Sequence, residues 1–194
     1  MNKRIYLDNA ATTPTDPRVV KAMLPYLGTV YGNAGALHEE GIRARRALSN
    51  AREKSARLLQ VRREEIVFTS GGTEGDNIVV SGVMKKARKD GIKKPHIVTT
   101  AFEHSAIFEA CKSLEESGDA EVTYVYPEKN GIVLAEKIKK AIKKNTILVS
   151  VMYVQNEIGT IQPIKEIARM VNGKKTKLKF PVFHTDACQA ANYL

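Results

Sequence analysis

The stretch HIVTTAFEHSAIFEACKSLEESGDAEVTYV, residues 96–125, sets two β-branched runs, His96–Thr100 and Glu121–Val125, around a segment whose apolar residues recur at helical spacing. Gly118 follows that segment as a stop. Strand, helix and strand with nearly continuous apolar strands is the unit of a parallel sheet. Working outward, the same alternation continues. Strand-like runs fall at 65–69, 146–151 and 181–184, and helical patterns at 16–27, 38–60, 73–90, 134–144 and 163–172. The expected fold is therefore α/β, with a mostly parallel or mixed sheet and helices on both faces. In such sheets ligands sit at the carboxyl ends of the strands, which directs the search for function.

Composition agrees with a folded chain. Of 194 residues 43% are apolar and 27% charged, and 31 Lys+Arg against 21 Asp+Glu leave a net charge of +10. A chain of this length buries roughly 70% of the surface that its unfolded form exposes, enough for a sizeable core without staples. Cys111 and Cys188 lie far apart, so neither a disulfide framework nor a thiol zinc knuckle is indicated, and a reducing, cytoplasmic setting is expected. The apolar run Ile5–Leu7 is too short for a signal peptide, and no later run approaches the ~20 residues of a membrane span. The basic clusters, such as Lys137, Lys139, Lys140, Lys143 and Lys144, interleave with Ile138, Ala141 and Ile142 at helical spacing. They read as solvated helix faces rather than a nucleic-acid footprint.

Four segments after strands carry the chemistry. Ser70-Gly71-Gly72-Thr73-Glu74-Gly75-Asp76-Asn77 is a glycine-rich turn opening a helix, whose free N–H groups and positive dipole end suit a phosphate. It has neither the nucleoside-triphosphate nor the dinucleotide spacing, so by itself it is equally a capped turn. His104 stands at a helix start, as a cap or as a group that stacks on a planar ligand or moves protons. The segment His184-Thr185-Asp186-Ala187-Cys188-Gln189 closes a strand. Alternation puts His184, Asp186 and Cys188 on one face, which admits a zinc site, but a second ligand cluster is missing and no metal is expected. The favoured reading is an aspartate at a strand end, aimed into a crevice. Gln155 and Asn156, after the preceding strand, are polar side chains where the sheet ends.

Taken together, Tyr6-Leu7-Asp8-Asn9-Ala10-Ala11-Thr12-Thr13-Pro14, the 70–77 turn, Glu103-His104-Ser105-Ala106-Ile107, Asn156-Glu157-Ile158-Gly159 and His184-x-Asp186-x-x-Gln189-Ala190 resemble the cysteine desulfurases of the class V aminotransferase group, in family order over nearly all of the chain. The resemblance implies the large domain of a fold type I enzyme dependent on pyridoxal 5′-phosphate, over residues 15–194 and behind an amino-terminal arm of residues 1–14. By similarity Gly72 and Thr73 bind the cofactor phosphate, and His104 stacks on the ring and takes part in proton transfer. Asp186 pairs with the ring nitrogen, and Asn156 and Gln189 lie around the ring hydroxyl.

The implied reaction converts L-cysteine to L-alanine and an enzyme persulfide for iron–sulfur clusters or tRNA thiolation. The implied partners are a sulfur acceptor or iron–sulfur scaffold protein and a second copy of the chain in a homodimer. Departures are Gln155, where many members have Asn, and Gly32–Gly41, which lacks the Pro and serines of the corresponding family block. The family's Schiff-base lysine and persulfide cysteine fall beyond Leu194, so the chain is expected to be the amino-terminal portion of such an enzyme and inactive alone. Cys111 and Cys188 are expected to be small packing residues. Another class V enzyme, or a non-catalytic split subunit needing a carboxyl-half partner, remains open.

Overall fold

The computed structural model describes residues 4–191 and Tyr193. Met1 to Lys3, Asn192 and Leu194 lie outside the described residues, and with them the first three positions of the expected amino-terminal arm. The chain forms two compact units, Met1–Phe68 and Thr69–Leu194.

The first unit is helical. Asp16 caps helix α1 (Pro17–Met23), its Oδ1 accepting the Arg18 N–H at 2.7 Å with Pro17 in the first turn, and a 3-10 turn, Leu24–Leu27, follows. Helix α2 (Glu39–Leu59) starts with two glutamates and ends at Gln60 in the left-handed region, φ 54°. Arg45 Nε and Nη2 reach back to the carbonyls of Ala34 and Ala36 at 2.8 and 2.7 Å, tying the preceding loop to the helix. Gly41 is needed there, because a Cβ would stand 2.6 Å from the Ala36 carbonyl oxygen. Only Gly41 and Ala56 of α2 are buried, while Leu7, Leu27, Leu37 and Leu58 are exposed.

The second unit is the α/β sandwich. Strands β1 (His96–Thr100), β2 (Glu121–Val125), β3 (Thr146–Ser150) and β4 (Val182–His184) form an all-parallel sheet in the order β2-β1-β3-β4. Helices α3 (Gly72–Lys89), α4 (Ser105–Glu116), α5 (Ala135–Ala141) and α6 (Ile164–Asn172) connect and cover it. The strand alternation sorts the core into two layers. Ile97 and Leu148 pack with Val80, Met84 and Ala87 of α3 and Ile107 and Cys111 of α4. Val98 and Val149 point the other way, onto Ile138 of α5 and Ile167 and Val171 of α6. Each fully buried Ile, Leu or Val contributes roughly 1.5–3 kcal/mol relative to exposure, so this double layer carries the unit's stability.

The expected strand at 65–69 does not form. Arg63–Glu65 is a 3-10 turn, and Ile66 to Thr69 run on without a sheet partner among the described residues, leaving Val67 and Phe68 exposed. An apolar alternating run becomes a strand only when its N–H and C=O groups find a neighbouring edge. The four other expected strands agree with the structure to within a residue at either end.

Candidate functional site

The carboxyl ends of β1, β3 and β4 point to one end of the parallel sheet, and the groups singled out at 104 and 186 lie there. His104 caps α4, its Nδ1 accepting the Ala106 N–H at 3.2 Å, which leaves Nε2 to carry the proton of the neutral ring. Asp186 follows β4, is buried, and accepts the Cys188 N–H on Oδ1 at 2.9 Å. Asp76, on the first turns of α3, joins them: one ligand atom from each of Asp76, His104 and Asp186 lies within 4.8 Å of the others. His184, the last residue of β4, adds a fourth group, with Nε2 3.5 Å from Asp76 Oδ1 and Nδ1 2.9 Å from Ser150 Oγ of β3.

The trio that forms is therefore Asp76, His104 and Asp186, and not the His184, Asp186 and Cys188 set that strand alternation admits. Cys188 is exposed, contrary to its expected role as a packing residue, because the chain turns at 188–191 and does not continue as a strand. Cys111, in contrast, is wholly buried in the core.

Gly72 and Thr73 begin α3, where the first N–H groups of a helix have no intrahelical acceptor. Glu74 braces the turn, its Oε2 accepting from Ser70 N and Oγ at 2.5 and 2.7 Å. This helix start touches the segment after β4, since a Cβ on Gly72 would stand 2.6 Å from Cys188 Sγ. Gln189 lies in the turn after Asp186 and is half-buried. Asn156 takes a different course. Its Nδ2 donates to Glu157 Oε1 at 2.7 Å, and the buried Gln155 beside it accepts the N–H groups of Glu157 and Ile158 at 2.6 and 2.8 Å, shaping the loop.

Burial sets the electrostatics. The Asp76 carboxyl is pushed up to about 6 by desolvation, with the charge of Asp186 adding and His104 opposing. Glu103, also buried, is pushed up to about 7 by desolvation despite accepting from Thr100 Oγ1 at 2.7 Å and Met152 N at 2.8 Å. Desolvation lowers His184, keeping that imidazole neutral. Asp76 Oδ2 and Glu103 Oε2 are buried with no hydrogen-bond partner. Two carboxylates and the neutral His184 imidazole beside an anion-receptive helix start suit a ligand with a cationic ring and an anionic tail.

Sequence reasoning missed Asp76, Glu103 and the role of His184. The i, i+4 spacing of Gly72 and Asp76, which puts both on one helix face, was the available signal. Nothing local marks Glu103, whose partner Met152 is 49 positions away.

Residues 5–193 match the family described as aminotransferase class V, and the chain belongs to that family. It is 44% identical over 193 residues to the cysteine desulfurase IscS of Methanosarcina thermophila, covering 100% of this chain and 46% of that protein. It is 43% identical over 192 residues to the putative cysteine desulfurase IscS 1 of Bacillus subtilis strain 168, covering 99% and 48%. Among solved structures, a NifS-like protein superposes with a TM-score of 0.89 at 39% identity, over 97% of this chain and 50% of that one. SspA in complex with cysteine gives 0.87 at 35%, over 95% and 51%. The chain thus spans about half the length of the curated relatives it matches, and corresponds to their amino-terminal part. The α/β fold with its parallel sheet is that of the pyridoxal-phosphate enzymes of fold type I.

The family depends on pyridoxal 5′-phosphate, and the residues present fit it. The cofactor has an anionic phosphate for the α3 start and a ring nitrogen that takes a proton opposite a carboxylate. The buried, unpartnered Asp76 Oδ2 marks a place where a cationic group is wanted.

Proposed function

We propose that this chain is the cofactor-cradling part of a cysteine desulfurase, converting L-cysteine to L-alanine and an enzyme-bound persulfide. The observation that carries the reading is the meeting of Asp76, His104 and Asp186 within 4.8 Å at the carboxyl end of the sheet. The Gly72 helix start lies against the same segment. Pyridoxal phosphate, when bound, supplies an electron sink for the bond broken at the substrate α-carbon. Asp186 holds the proton on the ring nitrogen and so maintains that sink. Gly72 and Thr73 offer N–H groups to the phosphate. His104, with Nδ1 committed to Ala106, presents Nε2 as the atom that carries a proton, and its ring as the stacking face. Asn156 and Gln189 place amides around the ring hydroxyl, and Asn156 Nδ2 has a second N–H besides the one given to Glu157.

The cysteine-bound SspA neighbour and the desulfurase relatives support L-cysteine as substrate. A sulfur acceptor or iron–sulfur scaffold protein receives the product. The exposed Leu7, Leu27, Leu37 and Leu58 of the first unit support a homodimer, since such side chains gain from being covered. Two unpaired thiols fit a cytoplasmic, reducing setting, and among the described residues no helix is long and apolar enough to cross a membrane.

The test is to purify the chain together with a carboxyl half that supplies the Schiff-base lysine and persulfide cysteine, and to supply L-cysteine with a thiol reductant. Equimolar alanine and sulfide are expected. Pyridoxal-phosphate binding without alanine release from cysteine would replace the desulfurase reading by another class V activity.

A further inference from the structure

We infer that Asp76 is a second carboxylate of the cofactor site, set beside Asp186 so that both negative charges act on the ring nitrogen of bound pyridoxal phosphate. The inference rests on the assignment of Asp186 to that nitrogen.

The placement is specific. Asp76 lies one helical turn beyond Gly72 on the same face of α3, inward of the phosphate-receiving end. It is 5% exposed. Its Oδ1 faces His184 Nε2 at 3.5 Å, and His184 is held in turn by Ser150 Oγ at 2.9 Å, so the carboxylate is oriented from β3 and β4. Its Oδ2 has no hydrogen-bond partner, although a buried carboxylate oxygen ordinarily has one.

Two carboxylates this close repel each other, which is costly in a buried site unless a cation stands beside them. The groups facing Asp76 are Asp186, His104 at the start of α4, His184 of β4, Glu103 after β1, and Cys188. The imidazole of His184 is kept neutral by burial, so it does not supply the charge. A protonated ring nitrogen does. Without it, burial and Asp186 hold the Asp76 carboxyl up at about 6, and a cation alongside keeps it ionised below that value.

The experiment is equilibrium dialysis of the full chain with pyridoxal 5′-phosphate and with its 1-deaza analogue, which carries carbon in place of the ring nitrogen. Wild type, Asp76→Asn, Asp76→Glu and Asp186→Asn are compared between pH 5 and 8. The preference for the cofactor over the analogue should fall about tenfold in Asp76→Asn, the equivalent of one pKa unit, with analogue affinity unchanged. Asp76→Glu should restore part of it. The wild-type preference should decline as pH falls through about 6, and this decline should vanish in Asp76→Asn. Equal weakening of both ligands, or an unchanged preference, overturns the inference. If Asp186→Asn keeps the full preference, the Asp186 assignment fails and takes Asp76 with it. If Asp186→Asn loses it while Asp76→Asn does not, only the role of Asp76 falls.

Discussion

Glu103 Oε1 accepts the backbone N–H of Met152 at 2.8 Å and the Thr100 hydroxyl at 2.7 Å, so one carboxyl oxygen joins the carboxyl ends of β1 and β3 beneath the site. The other oxygen is buried and unpartnered. Burial pushes this carboxyl up to about 7, above its value of about 4.3 in an unfolded chain. The folded state therefore binds the proton more tightly, and stability falls as pH rises between those two values. Glu103→Gln keeps the acceptor and removes the charge. It should be more stable than wild type at pH 8 by on the order of 3 kcal/mol, and equal to it near pH 4. Urea unfolding at both values checks this.

His96 gives the opposite slope. Its ring is buried, with Nδ1 2.8 Å from Thr146 Oγ1 and Nε2 2.9 Å from Thr123 Oγ1, so it bridges β3 and β2 across β1. Burial lowers it to about 4, against about 6.5 unfolded, and its contribution is complete above 6.5 and lost as pH falls toward 4. His96→Gln should begin less stable at pH 7 and lose on the order of 3 kcal/mol less than wild type on going to pH 4. Because Glu103 and Asp76 act in the reverse sense over this range, the difference between variant and wild type is the quantity to measure.

The two thiols should separate by reactivity. Cys188 is exposed, but burial of its Sγ and the adjoining Asp186 push the thiol up to about 11, and the wholly buried Cys111 is pushed up to about 12. At pH 8 about one Cys188 in a thousand is thiolate. A disulfide reagent should titrate one thiol slowly in the folded protein and both at once in denaturant, and Cys188→Ser should remove the native signal.

Gln162 closes a buried hydrogen-bond pair between two backbone groups. Its Oε1 accepts from Val133 N at 2.8 Å and its Nε2 donates to the Gly131 carbonyl at 2.8 Å. Gly131 sits at φ +78°, where a Cβ would meet Thr160 at 2.7 Å, so the loop has little room to adjust. Gln162→Leu leaves both backbone groups unpaired and should cost about 2–5 kcal/mol in urea unfolding. Gln162→Glu keeps the acceptor for Val133 but sets a buried carboxylate oxygen against the Gly131 carbonyl, and should cost at least as much at pH 8.

The strands at 96–100 and 121–125 were legible to the residue, because β-branched runs and the Gly118 stop are local signals. The run at 65–69 has the same local character and forms no strand, since pairing depends on an edge supplied from elsewhere in space. Motif resemblance and strand-end position singled out His104 and Asp186, and the structure brings a ligand atom of each within 4.8 Å of the other. Cys188 misled, for alternation along an extended chain stops where the turn at 188 begins.

The sequence by itself determined the βα rhythm, the two-sided apolar strands and the glycine-rich helix start, because each is written in residues a few positions apart. Only the tertiary structure decided that Asp76 and Asp186, 110 positions apart, come within 4.8 Å of each other and of His104. The physical reason is that charge proximity and desolvation depend on which strands pair. The order β2-β1-β3-β4 brings the ends of β1, β3 and β4 to one side, where α3 closes over them.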